Sequence, residues 1–222
     1  MCGRIANTLP VDAMAQLFSA TPGNDLPSGA RLNICPTQPL AVCTAQDGAR
    51  HLETMRWGFL PHWYDSPTAG PLLINARAET VAEKPAFRAA IRTRRCLIPA
   101  DGFYEWHRAA GAKLPYYISR RDGQPMVFGG LWQDWEHDGQ RLRSVAMVTV
   151  AAGPTLEPIH HREPLILEPE DWSKWLGEDG RGAALLMHPC AQGVLQAWRV
   201  DPKVNSNRAE GEDLRAPLAD PT

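Results

Sequence analysis

Apolar residues recur along the chain with helical spacing in a few segments, and these segments predict short helices. Met14, Leu17 and Phe18 share one face of a predicted helix over residues 10–19. A second helix is predicted over residues 83–95, with its proline tolerated in the first turn. A third is predicted over residues 168–176, where Gly177 is placed to end it.

Short apolar or alternating segments predict many strands, which outnumber the helices. In residues 96–106 a period of two places Phe103 and Glu105 on one face, and Tyr104 and Trp106 on the other. A loop rich in Pro, Gly and Asn is expected over residues 21–28. The other predicted strands cover residues 40–44, 55–60, 115–119, 125–132, 144–150 and 164–167.

Short strands separated by Gly and Pro turns, with few helices, predict an α+β fold. We expect a single domain over residues 1–222, built on an antiparallel, barrel-like β-sheet core with a few short helices. An acidic segment, residues 205–222, is expected to belong to this domain. Five tryptophans are expected to pack in the interior: Trp132, Trp135, Trp172, Trp175 and Trp198.

Composition changes this picture little but excludes several classes of protein. Hydrophobic residues make up 44% of the chain and charged residues 22%, which is typical of a globular domain. No apolar run approaches the roughly 20 residues that span a bilayer, and no secretory signal is recognisable, so we expect a cytoplasmic protein without membrane contact. The net charge of −2 gives no overall attraction to nucleic acid.

The five cysteines include no closely spaced pair, which argues against both a disulfide framework and a metal site. We therefore expect no metal and no cofactor. Cys35, Cys43, Cys96 and Cys190 are expected to be small buried apolar residues.

Cys2 differs from these four because removal of Met1 would make it the amino terminus. A terminal cysteine carries an amine and a thiol on neighbouring carbons, and the amine has a pKa of about 7.7–8.0. Such an amine forms an imine with an aldehyde, and the thiol then closes a five-membered thiazolidine ring.

Four segments combine a reactive or polar residue with small or apolar neighbours: MCGR at the start, INAR at 74–77, DGFYEW at 101–106 and IHHREP at 159–164. In this order they closely resemble the SRAP family, whose name stands for SOS response-associated peptidase and whose members process abasic sites. Weaker matches at 31–40, 56–65 and 204–214 extend the resemblance over nearly the whole chain.

The resemblance implies a catalytic set of four residues. Cys2 corresponds to the terminal cysteine that forms a thiazolidine crosslink with the ring-opened sugar of an abasic site. Glu105 corresponds to the general acid and base, Asn75 to the asparagine that orients the sugar, and His160 to the histidine that helps to open its ring. As alternatives, Asn75 only caps a turn, and the neighbouring His161 faces the site in place of His160.

The resemblance also implies a surface for single-stranded DNA. Arg4, Arg77 and Arg162 correspond to arginines that grip phosphates, although Arg77 and Arg162 could instead form structural ion pairs. Trp63 and Tyr64 are expected to stack on unpaired bases, with Tyr64 departing from the family's usual second tryptophan.

The predicted function is a sensor and processor of abasic sites in single-stranded DNA that shields the lesion covalently in the DNA damage response. AP lyase activity and cleavage of the chain's own Met1 are further activities that the resemblance leaves open. Two alternatives remain: a cysteine peptidase that uses Cys2, Glu105 and His160, and a module that binds single-stranded DNA without reacting. We expect a monomer, with the replication machinery as a further partner.

Overall fold

The computed structural model describes residues 2–109 and 111–218. The strands form two β-sheets. The strands are β1 Ile5–Asn7, β2 Thr21–Pro22, β3 Arg31–Ile34, β4 Pro39–Gln46, β5 Ala49–Trp57, β6 Asn75–Arg77, β7 Arg95–Ala100, β8 Gly102–Ala109, β9 Ala112–Arg120, β10 Met126–His137, β11 Gln140–Ala151, β12 Arg162–Pro164 and β13 Leu195–Arg199.

The larger sheet closes on itself, which confirms the predicted barrel-like core. Strands β11, β10, β7, β4 and β5 follow one another as antiparallel neighbours. The ring is closed by a parallel pairing of β5 with β11, in which Arg56 and Trp57 lie opposite Ser144 and Val145. Strands β6 and β12 extend β11, and β2 extends β5.

The smaller sheet has the strand order β13-β9-β8-β1-β3 and is antiparallel throughout. Its inner face packs against the barrel, where Phe103 meets Phe128 edge to face at 6.0 Å. Cys2 belongs to this apolar layer. The opposite face of the barrel strands packs against the helices through residues such as Leu97 and Trp175.

Two hairpins of the barrel turn on Asp-Gly pairs that adopt left-handed backbone conformations. Asp47 and Gly48 link β4 to β5 with φ of 51° and 75°, and Asp138 and Gly139 link β10 to β11 with φ of 47° and 76°. A two-residue hairpin of this type requires positive φ at both positions, which Asp-Gly tolerates well.

Three α-helices are described: α1 Val11–Phe18, α2 Ala90–Thr93 and α3 Trp172–Leu176. The first confirms the predicted helix, since Met14 and Phe18 are buried on one face. The third confirms the predicted end at Gly177, whose φ is 91° and whose N–H donates to the Ser173 carbonyl. It begins later than predicted because residues 169–171 form a 3₁₀ turn.

The predicted helix over residues 83–95 is wrong except for α2. Successive turns occupy residues 78–89, and Thr80 accepts hydrogen bonds from the N–H groups of both Glu83 and Lys84. Pro85 disfavours helical geometry at Lys84. Arg95 already belongs to β7.

The predicted strand over residues 96–106 is in fact two strands in different sheets. Asp101 separates β7 from β8, and its N–H donates to the Ala6 carbonyl. The predicted alternation is confirmed within β8: Phe103 packs with the Cys2 layer, whereas Tyr104 and Trp106 pack in a cluster on the outer face.

Smaller corrections concern segment ends. The strand predicted over residues 55–60 stops at Trp57 because Gly58 turns the chain with φ of 131°. The strand predicted over 164–167 is shifted to β12, and the loop predicted over 21–28 begins with the short β2. The remaining predicted strands overlap β4, β9, β10 and β11.

Burial agrees with most of the packing predictions. Trp132, Trp172 and Trp175 lie in apolar clusters, Trp198 packs against one, and Trp135 is buried. Cys35, Cys43 and Cys96 are buried as well. Cys190 is only partly buried, so that prediction is wrong in degree. No helix within residues 2–109 and 111–218 is long and apolar enough to cross a membrane.

The acidic carboxyl-terminal segment packs onto the smaller sheet as far as the structure describes it. Val204 and Leu214 are fully buried in the cluster that contains Tyr104. The predicted extent of the domain to residue 222 goes beyond the described residues, as does the prediction that Met1 is removed.

Candidate active site

Strand pairing brings the amino terminus to the middle of the smaller sheet. Strand β1 pairs with β8, so that Ile5 lies opposite Phe103, and the Tyr104 N–H donates to the Arg4 carbonyl at 2.9 Å. Cys2 therefore lies beside β8, on which Glu105 is located. On the other side of Cys2, the Asn75 side-chain Nδ2 donates to the Cys2 carbonyl at 2.8 Å.

Cys2 is 1% exposed within the apolar layer between the sheets. Burial raises the pKa of its thiol far above the ordinary value, and the negative charge of Glu105 raises this pKa further. The thiol is therefore protonated at neutral pH. Its Sγ lies 4.0 Å from the Arg4 carbonyl oxygen.

Glu105 is a buried carboxylate, 3% exposed, on the face of β8 that also carries Phe103. Its Oε1 accepts a hydrogen bond from the Trp106 N–H at 3.1 Å. Its Oε2 lies 4.0 Å from Nδ1 of His160. A carboxylate, an imidazole and the amino-terminal cysteine are thus collected at one place.

His160 lies near the end of the loop over residues 152–161, which joins β11 to β12. Its Nδ1 lies 3.0 Å from the Arg162 backbone nitrogen, and its ring stacks on His161 at 4.4 Å. Burial lowers the pKa of His160, although the neighbouring Glu105 acts in the opposite direction. Nδ1 also lies 3.2 Å from the Arg162 carbonyl oxygen, so the tautomer decides whether Nδ1 accepts from the Arg162 N–H or donates to this carbonyl. His161 is exposed.

Asn75 is held by β6, which pairs with β11 so that Asn75 lies opposite Met147. Its Oδ1 is buried and has no hydrogen-bond partner among residues 2–109 and 111–218. The side chain is therefore more than a turn cap: it fixes the Cys2 backbone and leaves an acceptor available.

The three predicted phosphate-binding arginines have different surroundings. Arg4 donates to Asn33 Oδ1 at 2.5 Å and to the Val204 carbonyl at 2.7 Å, with its guanidinium 5.6 Å from the centre of the Trp106 ring. Arg77 is exposed at the end of β6. Arg4 is thus engaged within the protein, whereas Arg77 projects from its surface.

Arg162 forms the structural ion pair considered as an alternative. Its two terminal nitrogens contact both carboxylate oxygens of Glu79, at 2.5 and 3.0 Å, and Nη2 also donates to the Thr149 carbonyl at 2.6 Å. The side chain of Arg162 is buried, whereas that of Glu79 is largely exposed. A phosphate role for Arg162 remains a prediction, and in this structure the guanidinium already holds a carboxylate.

Trp63 and Tyr64 lie on the loop over residues 58–74 that leads into β6. Trp63 is 48% exposed, and the two rings meet edge to face at 6.4 Å. The Tyr64 hydroxyl donates to the Pro71 carbonyl at 3.2 Å, and the Tyr64 carbonyl accepts from Trp135 Nε1 at 2.8 Å. Trp63 is therefore the more available ring for stacking, because Tyr64 is tied to its own loop.

Several residues that shape the site were absent from the sequence prediction. Glu79 and Glu163 lie inside or directly after the recognised motifs, so their charges were visible signals. Asn33 and Thr149 carried no such signal because their contacts with Arg4 and Arg162 depend on distant strand pairing.

Within the described part of the chain, no three His, Cys, Asp or Glu side chains are grouped so that they could hold a metal ion. The candidate site consists of the Cys2 thiol, the Glu105 carboxylate, the His160 imidazole and the Asn75 amide.

Comparisons with known proteins agree with this arrangement. The family model for SOS response associated peptidase (SRAP) matches residues 1–207, and the chain therefore belongs to the SRAP family. It is 32% identical to the abasic site processing protein YoqW of Bacillus subtilis, with 96% of this chain and 98% of that protein covered. It is 29% identical to the abasic site processing protein YedK of Escherichia coli, over 98% of this chain and all of that one.

A crystal structure of a protein from Bacteroides thetaiotaomicron has the same fold, with a TM-score of 0.87 over 98% of this chain and all of that one, at 22% identity. A phage-related protein from Bordetella bronchiseptica superposes with a TM-score of 0.70 at 27% identity, over 99% of this chain and the whole of that one. The two-sheet architecture is thus shared with solved structures.

Proposed function

We propose that this chain processes abasic sites in single-stranded DNA by forming a covalent thiazolidine crosslink through Cys2. The observation that supports this most strongly is the meeting of Cys2, Asn75, Glu105 and His160 in one buried site. The relatives named abasic site processing proteins support the choice of lesion.

The reaction starts from a Cys2 whose α-amine has been released by hydrolysis of the Met1–Cys2 bond. The amine nitrogen attacks the aldehyde carbon of the ring-opened deoxyribose and forms a C–N bond. Protonation of the resulting hydroxyl group expels one water, and the nitrogen then releases its proton, which leaves a neutral C=N imine and restores the acid. The thiol sulfur then adds to the imine carbon, and its proton passes to the nitrogen, which closes the thiazolidine.

Each neighbouring side chain suits one step of this chemistry. Glu105 is placed to relay the proton that expels water, and a positioned acid of this kind accelerates such a step by roughly 10²–10⁴-fold. His160 can take a proton from the sugar hydroxyl as the ring opens, because its lowered pKa keeps it neutral. Asn75 holds the Cys2 carbonyl and so orients the nucleophile.

A cysteine peptidase acting on other substrates fits this site less well. Cysteine nucleophiles of peptidases work as thiolates and have a lowered pKa. Burial and the charge of Glu105 raise the pKa of the Cys2 thiol instead. The geometry therefore favours an amine that reacts first and a thiol that adds second.

Incubation with end-labelled single-stranded oligonucleotides, one with an abasic site and one intact, followed by a denaturing gel, tests this proposal. A heat-stable shifted band is expected only with abasic DNA. Cys2→Ala should abolish it, and Cys2→Ser should leave at most a labile imine because it cannot form a thiazolidine.

Intact mass of the same preparation reports whether Met1 is absent, so that failure to crosslink can be assigned. Full crosslinking by Cys2→Ala, or no crosslinking by protein that lacks Met1, would contradict the proposal.

A further inference from the structure

Both terminal nitrogens of the Arg162 guanidinium hold acceptors in the free protein, whereas its buried Nε has no hydrogen-bond partner among residues 2–109 and 111–218. Glu79 takes one hydrogen bond from each terminal nitrogen, at 2.5 and 3.0 Å, and Thr149 takes another through its carbonyl at 2.6 Å. The Arg162 side chain is only 9% exposed, whereas that of Glu79 is 53% exposed. Glu79 therefore covers the guanidinium from the solvent side.

A phosphate and a carboxylate use the same edge of a guanidinium. Both accept two parallel hydrogen bonds from its terminal nitrogens. Because Thr149 occupies the inner side of Nη2, a phosphate that approaches from solvent meets the position that Glu79 holds. The two anions compete for one site.

Glu79 is a charged competitor at physiological pH. Its hydrogen bonds from Arg162 lower the pKa of its carboxyl group, and the positive charge of Arg77 adds to this effect. A strand that contacts Arg162 must therefore replace a carboxylate with a phosphate, which exchanges one favourable contact for another of the same kind.

We infer that Glu79 is a displaceable occupant of the Arg162 phosphate site and lowers the affinity of this protein for undamaged single-stranded DNA. This inference rests on the proposed function and deepens it. Undamaged strands gain little from Arg162, whereas a strand with an abasic site is retained by its reaction with Cys2. Because of Glu79, discrimination between damaged and undamaged DNA depends less on the first non-covalent binding and more on the covalent reaction.

Glu79→Gln tests the inference, with Glu83→Gln as the matched control. Glu83 is an exposed carboxylate on the turns that follow Glu79, so its replacement removes the same charge without touching Arg162. The readout is the dissociation constant for an intact oligothymidine, measured by fluorescence anisotropy. Glu79→Gln should bind roughly twofold to fivefold more tightly than the control, as expected for removal of a partly exposed ion pair.

Two further measurements sharpen the result. With abasic DNA, Glu79→Gln should lower the DNA concentration needed for half-maximal crosslinking and leave the rate at saturation unchanged. In an Arg162→Gln background, Glu79→Gln should have no more effect than Glu83→Gln, because the contested guanidinium is gone.

Equal or weaker binding by a well-folded Glu79→Gln protein, relative to Glu83→Gln, would overturn the inference and make Glu79 a residue that merely holds Arg162 in place. Absence of binding in every variant would also overturn it. Failure of the proposed function is seen separately, as the absence of a wild-type crosslink with abasic DNA.

Discussion

At the scale of single residues, the proposed order of the two crosslinking steps rests on the burial of the Cys2 thiol. The thiol lies in an apolar layer beside a carboxylate, and both features hold its pKa well above the ordinary value. A protonated thiol is a poor nucleophile toward an aldehyde, whereas an α-amine with an ordinary pKa of about 7.7–8.0 is partly free base at neutral pH. Amine attack followed by thiol addition is the order that the site supports.

Glu105→Gln should slow crosslinking by roughly 10²-fold or more if proton transfer limits the rate. The amide keeps the shape of the carboxylate and can still accept from the Trp106 N–H, but it has no transferable proton. Reversal of a preformed crosslink should slow as well, since the same group serves both directions. Both rates are measured on denaturing gels with labelled abasic DNA.

A melting curve of the Glu105→Gln protein provides the control for folding. Unaltered crosslinking and reversal in a well-folded variant would remove Glu105 from the mechanism.

His160 should give crosslinking a characteristic dependence on pH. Its lowered pKa means that it gains a proton only below the usual histidine range, whereas the Cys2 amine is protonated below about 7.7–8.0. The logarithm of the rate should therefore fall with a slope of about one per pH unit at first, and about two once His160 is also protonated.

In His160→Gln, the logarithm of the rate should fall with a slope of about one throughout. His161→Gln, which alters the exposed neighbour, should show both slopes, as the wild type does. The profile is recorded in single-turnover reactions. A second, steeper slope that survives in His160→Gln would show that another group carries that proton.

At the scale of elements, the sequence pattern predicted the features that depend on neighbouring residues. The features that depend on how distant strands pair could not be predicted from it. The alternation of Phe103 and Tyr104 and the turn at Gly177 were readable because each depends on local geometry. The split of residues 96–106 into β7 and β8 was not, since it depends on which sheet each half joins.

The candidate site divides in the same way. The resemblance indicated Cys2, Asn75, Glu105 and His160, and the structure collects all four. An ion pair of Arg162 was open as an alternative, but the contacts of Arg4 with Asn33 and of Arg162 with Thr149 could not be predicted because they depend on how distant strands pair.

Glu163 ties the loop that carries His160 to a neighbouring segment. It is 1% exposed, and its carboxylate accepts from the Gly153 N–H at 2.8 Å and from the Cys190 N–H at 3.0 Å. Burial raises its pKa above the ordinary value despite these hydrogen bonds. Because the folded pKa exceeds the unfolded one, the contribution of this group to stability is complete below the unfolded pKa and is lost as pH rises through the folded pKa.

The free energy of unfolding of the wild type, minus that of Glu163→Gln, should therefore fall as pH rises above about 4.3, the pKa of an unperturbed glutamate. The fall should be about 1.4 kcal/mol for each pH unit between the unfolded and folded pKa. Urea unfolding at several pH values measures this difference. Glu157→Gln, which alters an exposed carboxylate on the same loop, should show no such trend. A difference that is flat or rises with pH for Glu163→Gln would contradict the assignment.

At the scale of the whole molecule, the site is formed where the smaller sheet packs against the barrel, and Cys2, Asn75, Glu105 and His160 are distant from one another in sequence. Cys2 comes from the strand end of the smaller sheet, Asn75 and His160 from segments attached to β11 of the barrel, and Glu105 from β8. The net charge of −2 supplies no long-range attraction to DNA. Under the proposed function, electrostatic attraction of a strand then comes from individual exposed side chains, of which the arginines near the site are candidates.

The number of these arginines that neutralise phosphates can be read from the dependence of binding on salt. For single strands, the slope of log K against log salt is about −0.7 for each phosphate contact, so three contacts would give about −2. Arg4 is engaged by Asn33 and Val204, which leaves it little freedom to bind phosphate. When Arg162 exchanges Glu79 for a phosphate, the DNA releases one cation and the freed Glu79 carboxylate binds one. The net release of cations from this contact is therefore close to zero, and it adds little to the slope. Only the exposed Arg77 then contributes in full.

We therefore expect a slope of about −0.7 for the wild-type protein with intact single-stranded DNA, close to zero for Arg77→Ala, and about −1.4 for Glu79→Gln. Arg141→Ala, which removes an exposed guanidinium from the β10–β11 hairpin, should retain the wild-type slope. The slopes are measured by anisotropy titrations at several salt concentrations between roughly 50 and 200 mM. A wild-type slope of about −2 would mean that Arg4 and Arg162 both bind phosphate in full, and that their internal contacts are released without cost when DNA binds.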